Sequence, residues 1–277
     1  MILVSVLMTA YNREKYIAEA IESVLCSTFK NFELIIVDDL SADRTLDIAR
    51  GYETKDDRVR VYRNDKNLGQ FANRNKAAEL AVGKYIKYLD SDDIIYPYGL
   101  AVMVNAMESF PEAGLGFCYT SGDSPWPLPK LLTSAEAYSM HYKKGGILFC
   151  GPSGLIMRRD IFWNTGGYED YGMPSDNHLS LKIAATSPVV PLQRDLFWWR
   201  KHEGQAFNNA NLSVNALNNY RFNKSLIDSH LCPLNKRDKD IITKNLKRIF
   251  LKNIVRIGIK SRKPFEAFEL ISKSKIL

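Results

Sequence analysis

Strand-length apolar runs alternate with helix-periodic stretches throughout the first 90 residues, and few folds accommodate that pattern. Val4–Met8, Phe32–Val37, Val59–Arg63 and Lys84–Leu89 read as strands. Between them Lys15–Leu25, Ser41–Tyr52 and Gln70–Ala81 carry helical spacing. Ile17, Ala20, Ile21 and Val24 form the inward face of the first helix, and Ser41 or Asp43 caps the second. Strands joined through helices pair in parallel with right-handed crossovers, so an α/β sheet flanked by helices is expected. The alternation ends near Phe110.

The fourth strand breaks off into Asp90-Ser91-Asp92-Asp93. These three carboxylates stand at the carboxyl edge of the sheet, where open α/β folds bind ligands. Crowded carboxylates repel unless a cation lies among them, and Mg²⁺ or Mn²⁺ bridging a diphosphate is the natural guest. A solvated turn capping the next helix is the plainer alternative. The first strand runs into Thr9-Ala10-Tyr11-Asn12-Arg13, where a dinucleotide-binding protein would carry GxGxxG. A hydroxyl, a ring and an amide there suit stacking on a base and hydrogen bonding to it. The second strand ends in Val37-Asp38-Asp39, and a carboxylate at that place can accept the N3–H of a uracil. Asn67-Leu68-Gly69 follows, then Arg74, which either reaches a diphosphate or is an ordinary surface charge.

Composition narrows the class. A chain of 277 residues, 45% hydrophobic and 11% aromatic, can bury a sizeable core. Cys26, Cys118, Cys150 and Cys232 lie far apart with no CxxC pair, which argues against zinc and fits free buried thiols in a reducing compartment. Of the net charge of +7, residues 234–277 hold 13 basic against 4 acidic side chains, while the rest balances 25 against 27. The body therefore offers no basic face for nucleic acid. No run approaches the roughly 20 apolar residues of a membrane span. The apolar start lacks a basic leader and reads as a strand, which points to a cytoplasmic protein.

The second half is less regular. Pro125–Pro129 is a stiff loop, and Cys150–Gly154 turns into a strand at Leu155–Met157. Gly166-Gly167 closes a turn, a helix covers Asp176–Ala185, and Leu196–Arg200 reads as a further strand. From Ala206 the pattern is helical. In the tail Ile242, Leu246, Ile249, Phe250 and Ile257 share one helical face, with lysines and arginines around the rest.

Thr9-Ala10-Tyr11-Asn12, Val37-Asp38-Asp39-x-Ser41-x-Asp43-x-Thr45, Arg74-Asn75 and Leu89-Asp90-Ser91-Asp92-Asp93 stand in the order and spacing that resembles the family 2 glycosyltransferases. The resemblance is dense over the first 115 residues and traceable to about residue 205. It implies a GT-A fold, a mixed central sheet flanked by helices. Residues 1–205 would form the catalytic domain, with a nucleotide-binding half (1–110) and an acceptor half (111–205). Residues 206–277 would be a helical, basic extension. The implied reaction is inverting transfer of a sugar from a nucleoside-diphosphate donor, UDP-linked, to an acceptor hydroxyl.

By the same resemblance, Thr9, Tyr11 and Asp39 contact the nucleoside, Asp90 lies by the ribose or the metal, and Asp92 ligates Mn²⁺ or Mg²⁺. Asp176 matches the catalytic base; the rival carboxylates Glu169 and Asp170 follow the Gly-Gly turn too closely. His202, in an Arg-x-His segment, would be a metal ligand or phosphate contact, while His141, His178 and His230 lack such context. Two positions depart from the family pattern. Leu40 replaces a glycine and restricts positive φ, and Ser175 stands where an acidic residue is usual. The implied acceptor is a glycan or lipid-linked molecule in surface polysaccharide assembly. The basic tail then either docks on the body or touches the inner face of an anionic membrane. A sugar nucleotidyltransferase and a non-catalytic nucleotide-sugar-binding module are the alternatives; the former should show a Gly-rich phosphate loop that Thr9–Asn12 does not supply.

Overall fold

The computed structural model describes residues 2–119, 124–205 and 212–261. The first half runs β1 (Val4–Ala10), α1 (Ile17–Leu25), β2 (Phe32–Asp38), α2 (Thr45–Glu53), β3 (Val59–Arg63), α3 (Gln70–Glu79), β4 (Tyr85–Tyr88), β5 (Ile94–Ile95) and α4 (Gly99–Ser109). The second half adds β6 (Leu115–Cys118), α5 (Ser134–Lys144), β7 (Leu155–Arg158), α6 (Arg159–Asn164), α7 (Ser175–Thr186), β8 (Val189–Leu192) and β9 (Phe197–Trp198). Two helices follow, α8 (Leu212–Asp228) and α9 (Lys236–Ser261).

Seven strands form one mixed sheet in the order β3-β2-β1-β4-β7-β6-β8. β1 pairs in parallel with both β2 and β4, whereas β7 runs antiparallel between β4 and β6. One sheet thus spans both halves of the chain. β1, β2 and β4 are covered on both faces, which explains why they read as near-continuous apolar runs instead of alternating ones. β5 and β9 make a separate two-stranded ribbon.

Lys87 breaks the apolar pattern of β4 while fully buried. Its ammonium donates to the carbonyl oxygens of Tyr88 and, at 2.6 Å, of Ser153. Burial pushes its pKa down to about 8, and the two carbonyls replace the water it has lost. The strand is thereby tied to the loop that enters β7.

Several sequence expectations shift on inspection. α2 begins at Thr45, later than Ser41, because Ser41 is spent on another contact: its Oγ accepts from the Asn12 amide at 2.9 Å. Asp43 receives the Thr45 amide at 3.0 Å. Leu40 does adopt positive φ, at +65°. A left-handed L-residue costs about 1–2 kcal/mol. Neighbouring bonds hold the turn regardless, among them Ser41 N–H to Asp38 Oδ2 at 3.0 Å and Asp39 N–H to the Ala10 carbonyl at 2.8 Å. Only Phe197–Trp198 of the expected strand at 196–200 is extended and paired. Cys26 is exposed, so the thiols are free but not all buried.

The tail face is also redrawn. Ile242, Phe250 and Ile254 are buried and Leu246 lies between them in a repeat of four: Ile242 joins the main core, and Phe250 and Ile254 cluster with Leu217 and Tyr220 of α8. Ile249 is 54% exposed, being about 100° around the helix from Phe250. The side chain of Ile257 lies outside the described residues. Lys143 of α5 bridges to Asp238 at 2.8 Å, joining α9 to the body.

Candidate active site

The parallel strands β1, β2 and β4 all end at one edge of the sheet, and there the chain opens a cavity of about 800 Å³. That size lies within the range of small-molecule sites. Of the residues expected there, Thr9, Tyr11, Asp39, Arg74, Asp90, Asp92 and Asp176 all line it. His202 does not line it but reaches the wall, its Nε2 standing 2.9 Å from Asp92 Oδ2. Five segments far apart in sequence therefore line one cavity, and a sixth, at His202, reaches its wall.

Asp39 lies at the β2 end. Its Oδ1 accepts from Asn64 Nδ2 and the Leu68 amide, both at 2.8 Å, and its Oδ2 from the Gly69 amide at 2.9 Å. The carboxylate orders the loop 64–69, in which Gly69 takes φ +83°. An ionised carboxylate has about four acceptor sites, so Oδ2 keeps room for one more donor from the cavity. Tyr11, 48% exposed, lines the same cavity from the loop after β1.

The acidic loop after β4 does not rely on a bound cation to relieve its repulsion. Asp90 pairs with Arg74 at 2.9 Å, and Asp92 pairs with Arg13 at 3.1 Å. Asp93 turns inward, accepting from Ser153 Oγ at 2.6 Å and from the Arg200 amide at 3.1 Å. Burial pushes the Asp93 carboxyl well above its usual range, and Asp90 and Asp92 add to the rise. Arg200 clamps the loop from outside: Nε donates to the Asp92 carbonyl at 2.8 Å and Nη2 to Glu19 at 2.6 Å, with the guanidinium over Tyr16 and Trp198.

Among the described residues no group of three or more His, Cys, Asp or Glu converges as a metal site. Asp92 and His202 do supply a pair. They stand in direct hydrogen-bond contact at 2.9 Å, and a cation held by both would take the place of the shared proton. Carboxylate plus imidazole suits Mn²⁺ better than Mg²⁺, which prefers oxygen alone.

At the other end Arg74 is not the surface charge that a lone helical arginine suggests. It is 3% exposed, with Nη1 donating to Asp176 Oδ1 at 2.6 Å and Nη2 to Asp90 Oδ1 at 2.9 Å. The Phe71 and Tyr168 rings flank the guanidinium at 5.7 and 5.3 Å. Both arms face carboxylates, so its role here is to bridge them. Asp176 opens α7, and burial pushes its pKa up to about 6; Arg74 opposes that rise and Asp90 adds to it. Its side chain keeps 21% exposure to the cavity, so a proton can leave. A carboxylate with a pKa near neutrality is suited to general-base work. The rivals are occupied elsewhere: Glu169 pairs with Lys182 at 2.5 Å and Asp170 accepts the Gly172 amide at 2.8 Å.

The segment that holds β1 to β4 and the acidic loop coincides with a known family. Its model, glycosyl transferase family 2, matches residues 5–166. The chain belongs to that family. TuaG of Bacillus subtilis, provisionally assigned as a teichuronic acid biosynthesis glycosyltransferase, is 46% identical over 91 residues, 33% of this chain and 36% of the relative. Matches to the first curated relatives span about two-fifths of their length or less. Among solved structures, S. aureus TarS (1–349) in complex with UDP-GlcNAc superposes with a TM-score of 0.76 at 21% identity, covering 98% of this chain and 80% of that one. Mannosyltransferase PcManGT from Pyrobaculum calidifontis, in complex with GDP-Man and Mn²⁺, gives 0.67 at 16% identity, covering 98% and 78%. The fold is GT-A.

Sequence reasoning on this family 2 chain missed other cavity residues: Arg13, Phe149, Ser153, Trp199 and Gln205. Arg13 sits inside the quoted Thr9–Arg13 segment and had a signal, a basic side chain beside an acidic strand edge. Phe149 and Trp199 had none, since an exposed aromatic declares itself only in three dimensions.

Proposed function

We propose that the protein transfers a sugar from a nucleoside-diphosphate sugar, UDP-linked, to an acceptor hydroxyl with inversion at the anomeric carbon. The observation that carries this reading is the one cavity lined by the Asp39 loop, Asp92 and Asp176, with His202 against Asp92 at its wall. Asp39 accepts the base N3–H through its spare site, Tyr11 stacks, and Thr9 and Asp90 hold the nucleoside. Asp92 and His202 would hold Mn²⁺ or Mg²⁺, which when bound offsets the charge of the diphosphate leaving group. Asp176 takes the proton of the acceptor hydroxyl on the face of the sugar opposite the leaving diphosphate, and one base with in-line attack gives inversion. Holding donor and acceptor in contact supplies up to about 7–11 kcal/mol, more than the base alone.

Phe149 and Trp199, 53% and 50% exposed in the same cavity, offer apolar faces for an acceptor sugar. The teichuronic acid role provisionally assigned to the Bacillus relative supports polysaccharide assembly as the setting, with a glycan or lipid-linked acceptor. A cytoplasmic protein resting on the inner membrane face fits such an acceptor. The basic α9, with exposed Ile241, Ile249 and Val255, would make that contact. No helix among the described residues is long and apolar enough to cross a membrane. Co-sedimentation with anionic vesicles, with and without residues after Leu234, tests the contact; equal pelleting of both forms rules it out.

The reading as a whole is tested with Asp92→Asn. Mn²⁺-dependent UDP binding by calorimetry and slow UDP-sugar hydrolysis without acceptor are both expected to vanish. Unchanged binding and hydrolysis in the variant would remove Asp92 from the cation site, and absence of both in the wild type would favour a different ligand.

A further inference from the structure

Arg13 has no place in the mechanism above, yet it is built into the cavity with unusual care. Its Nε lies 3.1 Å from Asp92 Oδ2, the same oxygen that His202 Nε2 meets at 2.9 Å. Its Nη1 donates to the carbonyls of Tyr11 and Asn12, both at 3.1 Å. Those carbonyls are fixed in turn. Asn12 adopts φ +53°, its amide donates to Ser41 Oγ and its Oδ1 accepts from the Ala42 amide, each at 2.9 Å. The Arg13 amide itself donates to Thr45 Oγ1 at 2.6 Å. The guanidinium is a permanent cation held against Asp92 by the β1 and β2 loops together, not a surface arm free to swing away.

A divalent ion on Asp92 Oδ2 would lie directly beside this fixed positive charge. The two cations repel, and the repulsion is relieved when an anion enters between them. A diphosphate is such an anion, with oxygens for both. Resting on the reading that Asp92 and His202 take the cation, we infer that Arg13 is a resident counter-ion of Asp92 that weakens cation binding by the empty site and couples it to binding of the diphosphate. Linkage makes the coupling reciprocal: the nucleotide tightens the cation by the factor with which the cation tightens the nucleotide. The site then does not fill with free divalent ions before donor arrives.

The test titrates Mn²⁺, alone and with saturating UDP, following free Mn²⁺ by electron paramagnetic resonance. Arg13→Gln removes the charge and is expected to tighten Mn²⁺ alone about tenfold, while the factor by which UDP tightens Mn²⁺ shrinks to match. Arg13→Lys keeps the charge and should restore weak binding and strong coupling. Arg13→Met, equally neutral, replaces the glutamine variant if that one melts early. Mn²⁺ binding that is unchanged or weaker in both neutral variants overturns the inference, as does a UDP coupling factor equal to wild type. A fall in UDP affinity alone would make Arg13 a plain phosphate ligand, and a fall in melting temperature alone would make it a loop tie; either result also overturns it. Asp92→Asn separates the two layers, because Mn²⁺ binding that survives in that variant sinks the cation assignment itself.

Discussion

Asp176→Asn is expected to bind UDP and its sugar conjugates like the wild type while transfer falls about 10²–10⁴-fold, the range supplied by a positioned base. The substitution keeps shape and one acceptor oxygen for Arg74 but cannot take a proton. In the wild type the base works only when ionised. With its pKa pushed up to about 6 by burial, kcat/KM should rise with pH through that value and level off above it. The residual rate of the asparagine variant should lack this limb. Stability runs the other way for the same group. A carboxyl whose folded pKa is raised above its unfolded value contributes stability fully present below about pH 4 and lost as pH rises through about 6. Retained transfer with an intact acid limb would reassign the base.

Arg74→Met is expected to be the most destabilising substitution in the cavity. It leaves Asp90 and Asp176 facing one another without the cation that now bridges them at 2.9 and 2.6 Å. Breaking a buried pair by removing one partner costs roughly 3–5 kcal/mol. The two carboxylates are 32% and 21% exposed, so water softens the loss toward the lower end of that range. Arg74 also holds the Asp176 pKa down, so its removal should move the acid limb of kcat/KM to higher pH. The double variant Arg74→Met/Asp176→Asn should lose less stability than the sum of the singles, because one stranded charge is gone. Chemical denaturation of the four proteins reads this directly. Additive losses, or a pH limb that stays in place in Arg74→Met, would show that Arg74 does not act through Asp176.

The first half of the fold was legible because each strand is buried on both faces and each helix shows one face to the sheet. Ile17, Ala20, Ile21 and Val24 are buried as their spacing requires. The second half hid its elements behind irregular chemistry. β8 contains Pro191, and β6 is four residues long and includes a glycine, so neither reads as a strand. α5 is absent from the expected elements, although Thr133 and Glu136, which form a reciprocal capping box, are a signal for it in the sequence. The cavity residues at strand ends were legible one by one, since an acidic residue closing an apolar run is conspicuous. Their partners were not. That Arg74 lies beneath Asp176, 102 positions further along the chain, depends on how α3 and α7 pack, which no local pattern encodes. The expected tail face wrongly includes Ile249 and leaves out the buried Ile254, because a repeat of four and a repeat of three diverge over several turns.

The stretch from Phe197 to Gln205 crosses back over the acidic loop and fastens onto Glu19 and Tyr16 of the opening helix region. A fragment ending at residue 166 would keep the whole matched region and still lack Asp176, His202 and the Arg200 clamp. Kinship and the closed cavity therefore have different lengths in this protein: the portion that matches the family is shorter than the portion whose contacts hold Asp92 in place.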